Sequence, residues 1–397
     1  YKEYIAAGSQ VIYANPFGAN GLKLAKTGHS VEEVVGAAIA VAKKAAAGTG
    51  TLVALDVGPL GELLEPMGTL SFERAYDLFR EMAEAGAKAG ADLIVVETMT
   101  DLYEAKAALL VDANTGRMVY GKNEHEELYP ASLTKIMTAL LTLEAVDSGQ
   151  LSMDQPITVT ESALEGLAAD GSTAGIRAGE VLTVEQLLEC MLIVSANEAC
   201  NILAEQVSGS VDAFVGAMNE KAAALGCENT HFVNPSGLHD PDHYTSAWDL
   251  YLITKAAMQY PEFMEICDSA KAVIPATNLS KERTLYTTNH LLSTWRVIGY
   301  RDKRAHGIKT GSTSDAGNCL VSSAVRGSRR LVGVVLGADT VTDAGGSRKV
   351  MSFVEMARMF DYGFDNFTSQ TVLKSDEAVM EVPVALSKET NYVVVHP

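Results

Sequence analysis

Tyr129-Pro130-Ala131-Ser132-Leu133-Thr134-Lys135 is the stretch that decides the reading of this chain, with Ser195-Ala196-Asn197 and Lys309-Thr310-Gly311 behind it. Pro130 suits a first helical turn, and Ile136, Met137, Leu140, Leu141 and Leu143 recur at helical spacing, so a helix is expected to begin at the Ser-x-x-Lys. Residues i and i+3 share a helix face, which lets the Ser132 hydroxyl meet the Lys135 amine. A serine hydroxyl becomes a useful nucleophile only when a base takes its proton. A lysine can be that base only if burial or a second cation lowers its pKa, and Lys309 is the candidate second cation.

The surroundings of the other two motifs suit the same chemistry. Ser195-Ala196-Asn197 follows the apolar run Val184 to Val194, a helix whose end delivers polar groups to a cleft. His306 to Gly311 reads as a short strand. The β-rich runs Asn318–Val325 and Leu331–Ala338 follow, joined by the hairpin signal Arg326-Gly327-Ser328-Arg329. A strand edge carrying Lys and Thr beside a serine is a place where a peptide adds as an extra strand.

Singly, each tripeptide is common, but Ser-x-x-Lys, Ser-x-Asn and Lys-Thr-Gly in that order form a recurrent catalytic set. Here the sequence resembles the low-molecular-weight penicillin-binding proteins, the serine D-alanyl-D-alanine carboxypeptidases. Ala107 to Tyr120, with Asn114-Thr115-Gly116 as its turn, is similar to that family's opening hairpin, and His231 to Asp240 is similar to its loop before a further helix. The resemblance runs from about 107 to 366. It implies an α+β serine β-lactamase/penicillin-binding transpeptidase-like domain over 107–366, then the start of a truncated C-terminal β-domain over 367–397.

The resemblance also implies roles. Ser132 would be the nucleophile and Lys135 its base. Ser195 would relay a proton to the leaving amine, and Asn197 would hold Lys135 and a substrate amide. The backbone N–H groups of Ser132 and Ser312 would hold the oxyanion, while Lys309, Thr310 and Gly311, with Arg348, would bind the terminal carboxylate. Peptidoglycan stem peptides ending in D-Ala-D-Ala are the implied substrate, β-lactams the inhibitors and the cell envelope the location, with no cofactor. Two rivals share the motifs, a serine β-lactamase and a non-catalytic peptidoglycan-binding relative. No Glu-x-x-Leu-Asn lies between Asn197 and Lys309 to activate a deacylating water, and a binder would not need all five polar residues together.

Residues 1–106 alternate strand and helix. Gln10–Ala14, Thr51–Val57 and Ala91–Glu97 read as strands; Ser30-Val31-Glu32-Glu33 is a capping box opening a helix to about Ala47; Ser71–Ala89 is amphipathic, and Asp101–Lys106 starts another helix. This order implies parallel pairing. Ala14 to Asn20 and Val96 to Leu102 resemble the homocysteine S-methyltransferase barrel, which makes 1–106 an incomplete α/β fragment, a partial parallel βα barrel. Pro16 departs from that family's usual threonine, and no cysteine precedes Cys190, so the family's zinc chemistry has no ligands and the fragment is expected to be inactive. The chain reads as a fusion. At the join, Lys106 to Leu110 suits a continuing helix, yet the catalytic domain needs Ala107–Asp112 as a core strand; the strand is expected to win.

Later helices are expected over Val211–Leu225, Ser246–Gln259 and Ser347–Tyr362. The chain's 397 residues, 47% hydrophobic, suffice for more than one core. Its net charge of −19 argues against nucleic acid or anionic membrane as a partner. Cys190, Cys200, Cys227, Cys267 and Cys319 are scattered, so free buried thiols are expected. His239, Asp240, Asp242 and His243 mimic a metal cluster but lie in the family-like loop, so no metal site is expected, and His306 reads as a packing or surface residue. The start, Tyr1-Lys2-Glu3, shows no signal peptide, and no membrane anchor is expected.

Overall fold

The structure, a computed structural model, describes residues 1–62, 70–96, 105–168, 170–295, 297–342, 348–368, 380–383 and 392–395. The chain divides into two compact units, Tyr1–Glu104 with Asp339–Met351, and Ala105–Ala338 with Ser352–Pro397.

In the first unit, β1 (Val11–Tyr13), β2 (Leu52–Val57) and β3 (Leu93–Val96) form a parallel sheet in that order, with Val11 opposite Leu52 and Ala54 opposite Leu93. Helix α1 (Val31–Ala46) starts at the expected capping box: Glu33 N donates to Ser30 Oγ at 3.2 Å, and Ser30 N donates to Glu33 Oε2 at 3.0 Å. Its stripe of Val31, Val35, Ile39, Ala42 and Ala46 is buried. Helix α2 (Phe72–Lys88), capped by Ser71, buries Ala75, Leu78, Met82 and Ala85. The central strand β2 is covered from Val53 to Val57, which explains why it reads as a continuous apolar run. The described strands make a three-stranded sheet and do not define a barrel. The expected helix from Asp101 and most of the Val96 to Leu102 motif lie outside the described residues.

The second unit is built on a five-stranded antiparallel sheet in the order β10-β11-β12-β4-β5. Its inner strand β4 (Ala107–Asp112) is buried at every position and paired on both sides, with β5 (Arg117–Lys122) and with β12 (Arg329–Ala338), where Leu331 lies opposite Asp112. The strand therefore prevails at the join: a helix there would leave β5 without a ladder partner and one side of β12 unpaired. β10 (Ala305–Thr313) is one edge strand and pairs with β11 (Gly317–Arg326). Two short hairpins, β6 (Pro156–Thr158) with β7 (Val181–Thr183) and β8 (Lys271–Ile274) with β9 (Arg283–Tyr286), lie outside this sheet.

Helix α3 (Lys135–Asp147) is buried on most faces, and Ile136, Met137, Ala139 and Leu140 are at most 1% exposed. It packs with α4 (Val184–Ile193), α5 (Asn197–Ser208), α6 (Val211–Ala224) and α7 (Ala247–Ala257) around one large apolar core. Three expectations change. Ser132 stands not in the first α-turn but in a 3-10 turn, Ala131–Thr134, ahead of α3. Pro261 follows the preceding helix and also opens α8 (Pro261–Cys267), where its fixed φ and missing N–H are tolerated. The last helix, α9 (Met351–Asn366), begins later than expected, because Arg348–Val350 is a strand paired antiparallel with Thr340–Thr342. Met380–Pro383 and Tyr392–Val395 pair antiparallel.

Candidate active site

The 3-10 turn and the edge strand meet backbone to backbone. A Cβ on Gly311 would lie 2.9 Å from Pro130 O and 3.0 Å from Ser132 N, so only glycine lets β10 come this close to the Ser132 turn. Behind the turn, Lys135 is fully buried. Its Nζ donates to Ser132 Oγ at 2.8 Å, to Asn197 Oδ1 at 2.8 Å and to the backbone carbonyl of Ser236 at 2.6 Å.

Asn197 is the first residue of α5, and its own N–H donates to Ser172 O at 2.9 Å. Ser195 lies between α4 and α5 at φ 66°, in the left-handed region that a non-glycine residue seldom adopts. Such strain is tolerated where surrounding structure over-determines it. The conformation presents Ser195 Oγ to Lys309, whose Nζ donates to it at 3.0 Å and to Thr310 O at 2.8 Å. Lys309 is 1% exposed. Thr310 Oγ1 shares a hydrogen bond with Thr288 Oγ1 at 2.5 Å.

Two buried lysines with no ion-pair partner among the described residues are costly. Burial is the first cause that pushes the Lys135 amine below its ordinary value, against the pull of Cys200 and Glu198. Burial also brings Lys309 down to about 7, with repulsion from Lys135 second. So the expected lowering is present on both, but for Lys135 desolvation causes it, and the cation-on-cation effect falls on Lys309. Glu198 is itself occupied, accepting from Thr173 Oγ1 at 2.7 Å and Ala174 N at 2.8 Å. Burial pushes the Cys200 thiol up to about 11, which keeps it protonated.

The structure thus brings Ser132, Lys135, Ser195, Asn197, Lys309, Thr310 and Gly311 together. Ser312 is exposed in β10 opposite Asn318. Arg348 is exposed in its short strand, opposite Thr342 in the first unit, and is not one of the side chains assembled here. Sequence reasoning missed Ser236 O and Thr288. The first is a main-chain atom, and the second is a common residue with no motif around it.

The residues that mimic a metal cluster point elsewhere. His243 Nε2 bonds Thr134 Oγ1 at 2.8 Å, its Nδ1 accepts from Val233 N at 3.2 Å, and burial pushes its pKa down to about 4, so it is neutral. His239 stacks edge-on against Tyr129 at 4.7 Å between ring centroids. His306 is half-exposed and bonds Asp268 Oδ2 at 2.8 Å. All five cysteines are free; Cys227 is half-buried and the other four are buried.

Fold and site together set a serine against a buried lysine at the edge of an antiparallel sheet. The chain matches the D-alanyl-D-alanine carboxypeptidase family over residues 95–340 and belongs to it. D-alanyl-D-alanine carboxypeptidase DacF of Bacillus subtilis is 34% identical over 287 residues, covering 72% of this chain and 69% of its own. Among solved structures, penicillin binding protein 5 from Haemophilus influenzae is 31% identical, with a TM-score of 0.62, over 73% of this chain and 79% of its own. The Streptomyces K15 DD-transpeptidase is 27% identical, with a TM-score of 0.58, over 66% of this chain and 97% of its own. The likeness gives the second unit its fold, that of the penicillin-binding transpeptidases and β-lactamases, and makes the protein a serine peptidase.

Proposed function

We propose that the chain is a serine D-alanyl-D-alanine carboxypeptidase that removes the terminal D-alanine of peptidoglycan stem peptides and is acylated by β-lactams. The observation that carries this reading is the coordination of Lys135 Nζ. A charged ammonium has three N–H donors, and three acceptors surround it: Ser132 Oγ, Asn197 Oδ1 and Ser236 O. A neutral amine keeps two donors for Asn197 Oδ1 and Ser236 O and turns its lone pair on the Ser132 hydroxyl. The proton therefore passes from Ser132 to Lys135 with no other group moving.

Ser132 Oγ attacks the carbonyl carbon of the penultimate D-alanine as Lys135 takes its proton. The C–N bond then breaks, and the leaving amine receives a proton through Ser195, which Lys309 holds at 3.0 Å. Water cleaves the resulting ester. The backbone N–H groups of Ser132 and Ser312 hold the oxyanion, worth ~3 kcal/mol per donor. Lys309 and Thr310 take the terminal carboxylate. Arg348 remains a candidate helper on sequence grounds alone.

Slow deacylation of β-lactams follows from the absence of Glu-x-x-Leu-Asn and from the engagement of Glu198 with the Thr173 segment. The substrate places the catalytic unit in the cell envelope. Among the described residues no helix is long and apolar enough to cross a membrane. The first unit we read as a homocysteine methyltransferase-like fragment without methyl-transfer activity, on its parallel strand order and the lack of cysteine before Cys190.

The test is acylation of the purified chain by a fluorescent penicillin, read by gel and intact mass beside Ser132→Ala. A long-lived adduct that disappears in the variant is expected. Rapid repeated hydrolysis of the drug would instead make the protein a β-lactamase.

A further inference from the structure

Of the three hydrogen bonds made by Lys135, two go to side chains that substitution can remove. The third goes to a main-chain carbonyl, Ser236 O, and something must hold that carbonyl in place. The fixed point is Asn234. Its Oδ1 accepts from the backbone N–H of Ser236 at 3.2 Å, Gly237 at 2.7 Å and Leu238 at 3.1 Å, and from Ser236 Oγ at 3.1 Å. Its Nδ2 donates to Leu238 O at 2.9 Å. An asparagine that bonds the backbone just ahead of itself builds a tight turn.

This turn is fastened on two further sides. Pro235 O accepts from Thr138 Oγ1 of α3 at 2.6 Å. Gly237 sits at φ 83°, where an added Cβ would overlap Ala131 O in the nucleophile's own turn. One side chain therefore organises a segment that touches both the base and the backbone of the serine turn.

We infer that Asn234 is a positioning residue for the reaction, acting through Ser236 O to aim the lone pair of Lys135 at Ser132. The inference rests on the reading of Lys135 as the base. Once Lys135 is neutral, its lone pair points at Ser132 only while both remaining N–H groups are occupied. Asn197 occupies one, and Ser236 O occupies the other. If that carbonyl drifts, the amine turns freely and the lone pair is lost to Ser132 for much of the time. The other titratable groups facing Lys135 come from three elements: Glu198 and Cys200 on α5, Lys309 on β10, and His243 in the loop between α6 and α7. Asn234 adds no charge to them, so replacing it by a carboxylate changes the field as well as the geometry.

The experiment compares Asn234→Ala, Asn234→Asp and Lys135→Ala in the full chain, following the rate of penicillin acylation against pH together with the melting temperature. Asn234→Ala is expected to acylate about tenfold more slowly in its folded fraction, since small displacements of reacting groups carry penalties of this order or more. Asn234→Asp retains the acceptor for the three N–H groups, so it recovers rate at alkaline pH. Its negative charge favours the ammonium and moves the acid limb of the profile up by about one pH unit. Wild-type rate in the folded fraction of Asn234→Ala, whether or not its melting temperature falls, would overturn the inference. If the alanine variant does not fold, an unmoved limb in Asn234→Asp overturns it just as well. Wild-type acylation by Lys135→Ala would instead remove the reading of Lys135 as base, whatever the Asn234 variants show.

Discussion

The two units spend their charged residues differently. In the first, the ion pairs sit at the surface: Lys43 with Asp92, Arg80 with Asp77, and Lys88 with Glu32. Its core is made of Val35, Ile39, Val53, Leu55 and Met82, each fully buried. In the second, two lysines are buried to 1% or less beside Ser195, Asn197 and Glu198, and a serine is held at a positive φ. Burial of charge opposes stability. Where a chain maintains it, as around Lys135 and Lys309, the return is chemistry. In the first unit the ion pairs stay outside, and Asp56 on β2 is a buried carboxylate within an otherwise apolar core.

Substitutions can break or sharpen this contrast. The largest effect is expected for Lys135→Met: acylation by penicillin should fall about a thousandfold, while calorimetry shows a stability change of only ~1 kcal/mol, because a buried charge disappears together with its hydrogen bonds. A loss of several kcal/mol would mean that Lys135 holds the fold. Leu55→Ala in the first unit is the mirror experiment. It should lower that unit's stability by ~2 to 4 kcal/mol through the cavity it leaves, with the acylation rate per molecule unchanged; altered acylation would show that the units are not separate in function.

Gly311→Ala comes next. Its Cβ would press on Pro130 O and Ser132 N, so β10 must retreat from the serine turn and acylation should drop roughly tenfold or more. Stopped-flow rates of the folded variant decide this, and an unchanged rate would dissociate the strand from the oxyanion site.

The pH dependence has two opposite limbs. Lys135 accepts a proton only when neutral, so acylation rises as pH climbs through its lowered pKa. Lys309 loses its charge above about 7, so KM for a substrate with a free carboxylate should climb there, and KM for the corresponding amide should not. For stability the sign is fixed by proton counting. Between about 7 in the folded protein and about 10.4 in the unfolded chain, the unfolded state holds more protons at this site. Removing Lys309 should therefore flatten a stability that rises with pH over that window. The smallest effect is expected at Lys43→Ala, where the exposed pair with Asp92 should leave the melting temperature within error.

Much of the catalytic centre could be read in advance, because its parts are local. Ser132 and Lys135 are three residues apart and needed only a helical or 3-10 turn to meet. The strand at Lys309 and the hairpin after it followed from composition and turn residues. The capping box at Ser30–Glu33 was likewise visible as a short pattern, and it formed. Arg348 was misread: it falls in a strand paired with Thr342, six residues earlier, rather than at a helix start. At Lys106–Leu110 the strand was expected to win and does, although helix and strand propensities compete locally and the choice rests on β12, more than two hundred residues away.

The sequence alone determined that a serine, a lysine, a Ser-x-Asn and a Lys-Thr-Gly recur in the order of a known acyl-transfer site, and that a βα segment precedes them. Those are properties of spacing and residue type, and a chain carries them whether or not it is folded. Only the tertiary structure decided that Lys135 is fully enclosed, that burial is what lowers its pKa, and that a carbonyl from Ser236 completes its coordination. Solvent exclusion and main-chain hydrogen bonding depend on which distant segments pack together, so neither is written in any one stretch of residues.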